Sequence, residues 1–82
     1  MSRVTDFYVG IDFHQKFSTV CVMDGNGKIV FEQNCDSSAD YIHKFIAWRL
    51  GAEKVRLHAA IEACGGAAKL AEDLRRRDWR IG

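Results

Sequence analysis

The residues Phe7-Tyr8-Val9-Gly10-Ile11-Asp12 form a short apolar run of strand-forming residues that ends in an acid. Length and flanking residues predict a buried β-strand here. Residues 17–23 predict a second strand, and the following Asp24-Gly25-Asn26-Gly27 is typical of a hairpin turn. A third strand is predicted over residues 28–33, where Ile29 and Phe31 would share one face. This first part of the chain therefore predicts a three-stranded antiparallel meander.

The rest of the chain alternates helix and strand signals. Ser37 and Ser38 are candidate N-caps of an amphipathic helix that Gly51 ends. Apolar residues then alternate along a strand from residue 55 that Glu62 closes, and Gly65-Gly66 marks a turn before a second helix over 67–74. Residues 79–81 begin a last strand. The order β-β-β-α-β-α-β predicts an α/β fold, a mixed sheet with helices packed on it.

Two acids are predicted to meet at one edge of this sheet. The right-handed crossover rule allows the fourth strand to lie parallel to the first and beside it, so Asp12 and Glu62 would end neighbouring strands at the same edge. Paired carboxylates suit Mg²⁺ or Mn²⁺, and such an ion can activate a water or hydroxyl and hold a phosphate in phosphoryl transfer. Either acid alone is more typical of a turn or a helix start, so the topology carries this prediction.

Composition narrows the class of protein. The 82 residues allow one small domain at most, and 48% hydrophobic with 28% charged residues is ordinary for a soluble globular chain. The formal net charge of +1 gives no argument for nucleic acid. Neither a membrane span nor a signal peptide is indicated, so we expect a cytoplasmic protein. Cys21, Cys35 and Cys64 lack Cys-x-x-Cys spacing, which predicts reduced thiols.

Two motifs resemble a known family. Gly10-Ile11-Asp12-Phe13-His14-Gln15-Lys16 and Ile61-Glu62-Ala63-Cys64-Gly65-Gly66 look like the two N-terminal signatures of the DEDD insertion-sequence transposases. That family includes the Piv-type DNA invertases and the bridge-RNA-guided recombinases. The resemblance runs from Tyr8 to about Ile81, and the second motif is its more specific half. The family's catalytic domain is similar to the RuvC resolvase, so the resemblance implies a ribonuclease H-like fold here.

The resemblance also implies a chemistry. Asp12 and Glu62 would be the first two catalytic acids of a metal-binding tetrad that cleaves and exchanges DNA strands with Mg²⁺, and DNA and a guide RNA would be the partners. The family's second acid pair and its serine-bearing domain lie downstream, and no acid late in this chain matches that pair. We therefore expect residues 1–82 to be the incomplete N-terminal portion of a RuvC-like domain, ending before its C-terminal helix. Such a portion, from a truncated protein or a gene remnant, would cleave no DNA alone.

Several basic residues are candidate nucleic-acid contacts. Lys16 follows the first acid and could approach a phosphate as a point charge, and His14 could touch the same site. Arg75, Arg76 and Arg77, with Arg80, form the one basic cluster of the chain. A run of this kind is more often the solvated end of a helix, where the helix dipole favours positive charge.

Two rival functions remain open. A sugar-kinase or actin-like ATPase segment shares the β-β-β-α-β start and an early strand ending in aspartate. Those proteins follow the aspartate with a glycine and a hydroxyl residue, where this chain has Phe13-His14-Gln15. The second rival is a non-enzymatic interaction or oligomerisation module with incidental acids. A sheet ending at Ile81 would leave an apolar face uncovered, so we expect a homo-oligomer.

Overall fold

The computed structural model describes residues 4–51, 55–62 and 65–81. Its elements follow the predicted order and are β1 (Thr5–Asp12), β2 (Phe17–Met23), β3 (Ile29–Asp36), α1 (Ala39–Leu50), β4 (Val55–Ile61), α2 (Ala67–Arg75) and β5 (Arg80–Ile81). The strands form one five-stranded sheet in the order β3-β2-β1-β4-β5. An α/β fold with helices on a mixed sheet is therefore confirmed.

The predicted meander is present, and Asp24 closes its second turn. β1 pairs antiparallel with β2, and β2 pairs antiparallel with β3. Between β2 and β3, Oδ1 of Asp24 accepts the backbone N–H of Asn26 at 2.9 Å and that of Lys28 at 3.0 Å. Gly27 follows with φ of 81°, a conformation that glycine adopts at little cost. The short polar side chain of Asp24 thus replaces backbone partners within the turn.

The third strand differs from its prediction in length and in facing. It continues to Asp36, and its register with β2 changes from Phe31 opposite Val22 to Ile29 opposite Met23, which leaves out Val30. An extra residue of this kind is a β-bulge, and it changes the face to which neighbouring side chains point. The predicted shared face of Ile29 and Phe31 is therefore wrong, since Phe31 is buried while Ile29 is 57% exposed.

The fourth strand lies where the crossover rule places it. β4 runs parallel to β1 and beside it, with register partners from Thr5 and Val55 to Ile11 and Ile61. β5 runs parallel to the far side of β4. The prediction that the strands ending at Asp12 and Glu62 are parallel neighbours is confirmed.

Both helices pack on the same face of this sheet. Alternate residues of the three central strands are buried in one cluster with residues of α1 and α2. The side chains that meet there include Val20 and Val22 from the sheet, Ile42 and Ile46 from α1, and Leu74 from α2, each fully buried. Removing these apolar side chains from water is the main stabilising contribution that the fold offers.

The sheet face opposite the helices, which we call the open face, is accessible in the described part of the chain. Tyr8 and Ala60 are exposed on it, and Gly10 and Cys21 are partly exposed. The sequence predicted an amphipathic α1, but two of its apolar residues face solvent, since Tyr41 is 48% and Trp48 is 76% exposed. The helix buries a narrower stripe than its apolar residues suggested.

The described cysteines behave as the sequence predicted for reduced thiols. Cys21 and Cys35 are both free, and Cys35 is buried. Burial, with a smaller contribution from Asp36, raises the pKa of the Cys35 thiol, which keeps it protonated and unreactive. Cys64 lies outside the described residues. None of the described helices is long and apolar enough to cross a membrane.

Trp79 connects the end of the chain to α1. Its indole Nε1–H donates to Nδ1 of His43 at 2.9 Å, and the indole itself is buried in the core. Because an indole nitrogen only donates, Nδ1 of His43 must be the unprotonated acceptor. Burial of the ring, with a contribution from Arg77, lowers the pKa of His43. The folded protein therefore favours the neutral imidazole.

This histidine should make the stability of the chain depend on pH. Because its pKa is depressed on folding, the stabilisation is fully present above the unfolded value of 6.5 and is lost as the pH falls through the folded value. We expect the free energy of unfolding, measured by urea denaturation, to decrease between about pH 7 and pH 5. His43→Gln should flatten that decrease, because glutamine does not titrate in this range. An unchanged pH dependence in His43→Gln would show that His43 does not cause it.

Candidate functional site

The two predicted acids stand side by side at one edge of the sheet. Asp12 is the last residue of β1, and Glu62 immediately follows β4. Each comes one position after the paired residues Ile11 and Ile61, so the register sets the two acids at the same level. The backbone N–H of Glu62 donates to the carbonyl of Ile11 at 3.4 Å, which extends the pairing by one residue. We call this pair, Asp12 and Glu62, the acid edge.

A groove of about 580 Å³ on the open face is lined by both acids of this edge. Small residues, Gly10 and Ala60, lie on the neighbouring strands beside it, and Cys21 is part of its lining. Both acids are exposed, so a metal ion, water or a charged substrate can reach them. Small side chains below two accessible carboxylates leave space for such a ligand.

A third acid, Glu32, lines the same groove, although the sequence did not indicate it as a site residue. Glu32 lies on β3 with its backbone opposite Cys21 of β2. It is exposed, and β2 alone lies between its strand and β1, which carries Asp12. Its strand ends in no functional motif, and only the cross-strand register brings it to this groove. Alternation from the buried Phe31 puts Glu32 on the open face, but it does not show that the strand neighbours bring it to this groove.

His14 lies beside the first acid. Its Nε2 is 3.5 Å from Oδ1 of Asp12, and the two side chains are 68% and 59% exposed. At that exposure the pairing is worth little to stability, because solvent screens it. The His14 imidazole nevertheless lies beside the Asp12 carboxylate, which is one of the two acids of the acid edge. Lys16 is exposed on the same connection and makes no side-chain ion pair with the described residues.

The arginine cluster lies on another part of the surface. Arg76 pairs with Glu72 at 2.9 Å within α2, and Arg77 pairs with Asp40 of α1 at 3.1 Å. Arg75 is exposed at the end of α2. None of these three arginines lines the groove at the acid edge. The structure therefore separates them from Asp12 and Glu62, and two of the three already contact carboxylates.

An ion-pair cluster holds the opposite ends of the two strands that carry the acids. Oδ1 of Asp6 lies 2.9 Å from Nε of Arg56 and 2.8 Å from Nε2 of His58. The His58 hydrogen bond, with the Arg56 charge, lowers the pKa of the Asp6 carboxyl. Tyr8 stacks on His58 with ring centroids 4.7 Å apart. The contacts join residues distant in sequence, so no local pattern indicated them.

The donor set available to a metal is limited. Over residues 4–51, 55–62 and 65–81, no three His, Cys, Asp or Glu side chains form a group that would hold an ion. The acid edge supplies two carboxylates with hard oxygen atoms, the ligands that Mg²⁺ and Mn²⁺ prefer. The residues present therefore fit part of a divalent metal site, with the remaining positions left to water or to further ligands.

Gly66, in the turn before α2, lies close to Phe13, the residue that follows Asp12. Gly66, at the N-cap of α2, has φ of 92°. A Cβ built on it would lie 3.1 Å from Cε2 of Phe13, whose ring packs against the core. Glycine is therefore required here both by its backbone angle and by this close approach. Ala63 and Cys64, which belong to the same sequence motif, lie outside the described residues.

Comparison with protein-family models matches residues 9–79 to the DEDD transposases of the IS110 type. A search of curated proteins finds no match. Among solved structures, the chain is similar to a Bacteroides thetaiotaomicron protein with an actin-like ATPase fold and unknown function. The identity is 9% and the TM-score 0.63, over 92% of this chain and 31% of that chain.

A second solved structure, the Aquifex aeolicus PPX-GPPA enzyme, aligns at 16% identity with a TM-score of 0.34, over 92% of this chain and 34% of that chain. This TM-score is too low to bear on the fold. The first likeness concerns the fold alone, and it agrees with the mixed α/β sheet described above. The chain spans about one third of the length of each of these solved structures.

Gly66→Ala should destabilise the fold. The positive φ and the close approach to Phe13 both oppose a Cβ, and the backbone conformation alone costs about 1–2 kcal/mol in a residue other than glycine. The matched control is Gly65→Ala, because a Cβ at Gly65 meets nothing within 4 Å. The measurement is the free energy of unfolding in urea. Equal losses in the two variants would contradict the stated role of Gly66.

Proposed function

Because the chain belongs to the DEDD transposase family of the IS110 type, we propose that it forms the first part of a metal-dependent DNA transposase catalytic domain. Asp12 and Glu62 would be two of the catalytic acids. One observation carries the proposal: the parallel pairing of β1 and β4 brings both carboxylates to one accessible groove. Paired acids at the C-terminal edge of parallel strands are well placed to hold a divalent ion.

Mg²⁺ or Mn²⁺ is the proposed cofactor, held by Asp12 and Glu62. When bound, such an ion would supply charge stabilisation and activation of a nucleophile in phosphoryl transfer. The chain's own contribution is to hold the two carboxylates at a fixed level through the β1–β4 register. His14 would restrict the orientation of the Asp12 carboxylate through the contact at 3.5 Å. Support from such neighbours commonly tunes metal affinity.

We further propose that the fold is ribonuclease H-like, of the RuvC type. The support is a mixed sheet in the order β3-β2-β1-β4-β5, with the first acid ending the central strand β1. The family membership adds the second support. An additional acid pair and a serine-bearing domain would then be supplied by further chain, so residues 1–82 alone should not cleave DNA.

DNA is the proposed substrate, and a guide RNA is the proposed second partner of the whole protein. Lys16 and His14 would contact the nucleic acid nearest the acid edge, because they lie on the connection that follows Asp12. Arg75 is exposed and available to a phosphate at a distance from the groove. Arg76 and Arg77 would have to break their ion pairs with Glu72 and Asp40 before binding a phosphate. We therefore expect them to contribute less to nucleic-acid affinity than Arg75. We also propose that the isolated chain self-associates through its accessible apolar residues.

An actin-like ATPase function is the second candidate, because the structural likeness with a TM-score of 0.63 is to a protein of that fold. The local chemistry favours it less. Phe13-His14-Gln15 follows Asp12, without the small and hydroxyl residues that would hold a nucleotide phosphate there. Bulky Phe13 packs against the core and against Gly66 at this position. Nucleotide binding by the chain at low concentration would favour the ATPase reading over the transposase reading.

The metal proposal predicts the behaviour of three variants. Mn²⁺ should broaden the amide signals of residues near the acid edge in the nuclear magnetic resonance spectrum of the chain. Asp12→Asn and Glu62→Gln should each weaken Mn²⁺ binding by more than about tenfold, because each removes a ligand rather than its support. Glu32→Gln is the matched control: it removes an acid from the same groove and should retain binding.

Other patterns of broadening in these variants would contradict the proposal. Broadening that persists in Asp12→Asn and Glu62→Gln, or that disappears only in Glu32→Gln, would place the ion elsewhere in the groove. Absence of any broadening in the wild-type chain would contradict the metal site itself. Thermal unfolding of each variant confirms that lost binding is not lost folding.

A further inference from the structure

The connection between Asp12 and β2, which we call the acid loop and define as residues 13–16, is held from a distant part of the chain. Ser37 lies between β3 and α1, at the same edge of the sheet. Its backbone N–H donates to the carbonyl of Lys16 at 3.1 Å. Its hydroxyl donates to the carbonyl of His14. One residue therefore binds two carbonyls of a four-residue loop.

The Ser37 hydroxyl is itself fixed by a buried partner. Oγ of Ser18, in β2, lies 2.6 Å from Oγ of Ser37, and Ser18 is 1% exposed. A serine has one hydroxyl proton, and that of Ser37 is directed to His14. The Ser18 hydroxyl is therefore the donor to Ser37, which gives a relay from Ser18 through Ser37 to the His14 carbonyl. Consecutive hydrogen bonds of this kind strengthen one another.

We propose that Ser37 is a positioning residue of the acid edge, and this inference rests on the proposed function. By holding the acid loop, it keeps His14 against the Asp12 carboxylate, where Nε2 and Oδ1 are 3.5 Å apart. It also fixes the point from which the Lys16 side chain leaves the backbone. Ser37 touches neither acid, so it acts through the loop and not as a ligand.

The neighbours of Ser37 have other tasks. Oδ1 of Asp36 accepts the N–H of Ser38 at 3.0 Å, and the Ser38 hydroxyl caps α1 by accepting the N–H of Tyr41 at 3.4 Å. Neither side chain is bonded to the acid loop by these contacts. Removing the Ser38 hydroxyl thus disturbs the same corner of the fold without releasing the loop, which makes Ser38 a matched control.

The test measures Mn²⁺ affinity of the chain by broadening of amide signals, together with hydrogen exchange of the acid-loop amides. Ser37→Ala should weaken Mn²⁺ binding by roughly tenfold, the lower end of what loss of outer support costs a metal site. It should also speed exchange in the loop. Ser37→Thr keeps the hydroxyl and should restore both properties. Ser38→Ala should lower the unfolding temperature and leave Mn²⁺ affinity unchanged.

The outcomes separate the inference from the function on which it rests. If the wild-type chain binds Mn²⁺ and Ser37→Ala binds it equally well, the positioning role is wrong and the metal site stands. If Ser38→Ala loses as much affinity as Ser37→Ala, the effect belongs to general folding and the inference also fails. If the wild-type chain binds no Mn²⁺, both the metal site and the role of Ser37 are contradicted.

Discussion

The parallel pairing of β1 with β4 fixes where both acids stand. Seven register pairs align the strands, and the first unpaired position at the end of each carries a carboxylate. At the other end, Asp6 contacts both Arg56 and His58 and thereby holds the same two strands. A shift of register by one residue would turn one acid away from the open face, because side chains alternate along a strand. The acid edge therefore depends on this pairing more than on any residue in the groove.

The elements around that edge limit how its first acid can move. Phe13 leaves the end of β1 for the core and approaches Gly66 at the start of α2. Ser37 bonds the backbone of the following residues from the corner between β3 and α1. Two elements distant in sequence thus converge on the short connection after Asp12. In the proposed function this rigidity has a purpose, since metal ligands must be held before the ion arrives.

Much of this arrangement could be predicted from the sequence, and the failures have identifiable causes. Element order and the adjacency of β1 and β4 follow from apolar periodicity and crossover topology, and the two strand-ending acids were found because strand ends are visible in the sequence. The bulge at Val30 is invisible to strict alternation, so the face of the sheet to which Ile29 points was predicted wrongly. Alternation from Phe31 does give the face of Glu32, but its place beside the groove depends on the register between β3 and β2. The contacts of Asp6, Ser37 and His43 join segments distant in sequence. Such contacts cannot be predicted from the propensities of neighbouring residues. The isolation of the arginine cluster from the groove is likewise a result of packing.

The most direct test of the account is a crystal structure of the chain grown with Mn²⁺, in which anomalous scattering locates the ion. One ion is expected at the acid edge, with carboxylate oxygens of both Asp12 and Glu62 bound to it at about 2.0–2.1 Å, the ligand distance of Mg²⁺. An ion bound elsewhere, or two carboxylates directed to different faces of the sheet in its presence, would contradict the central claim that the β1–β4 register builds half of a metal site.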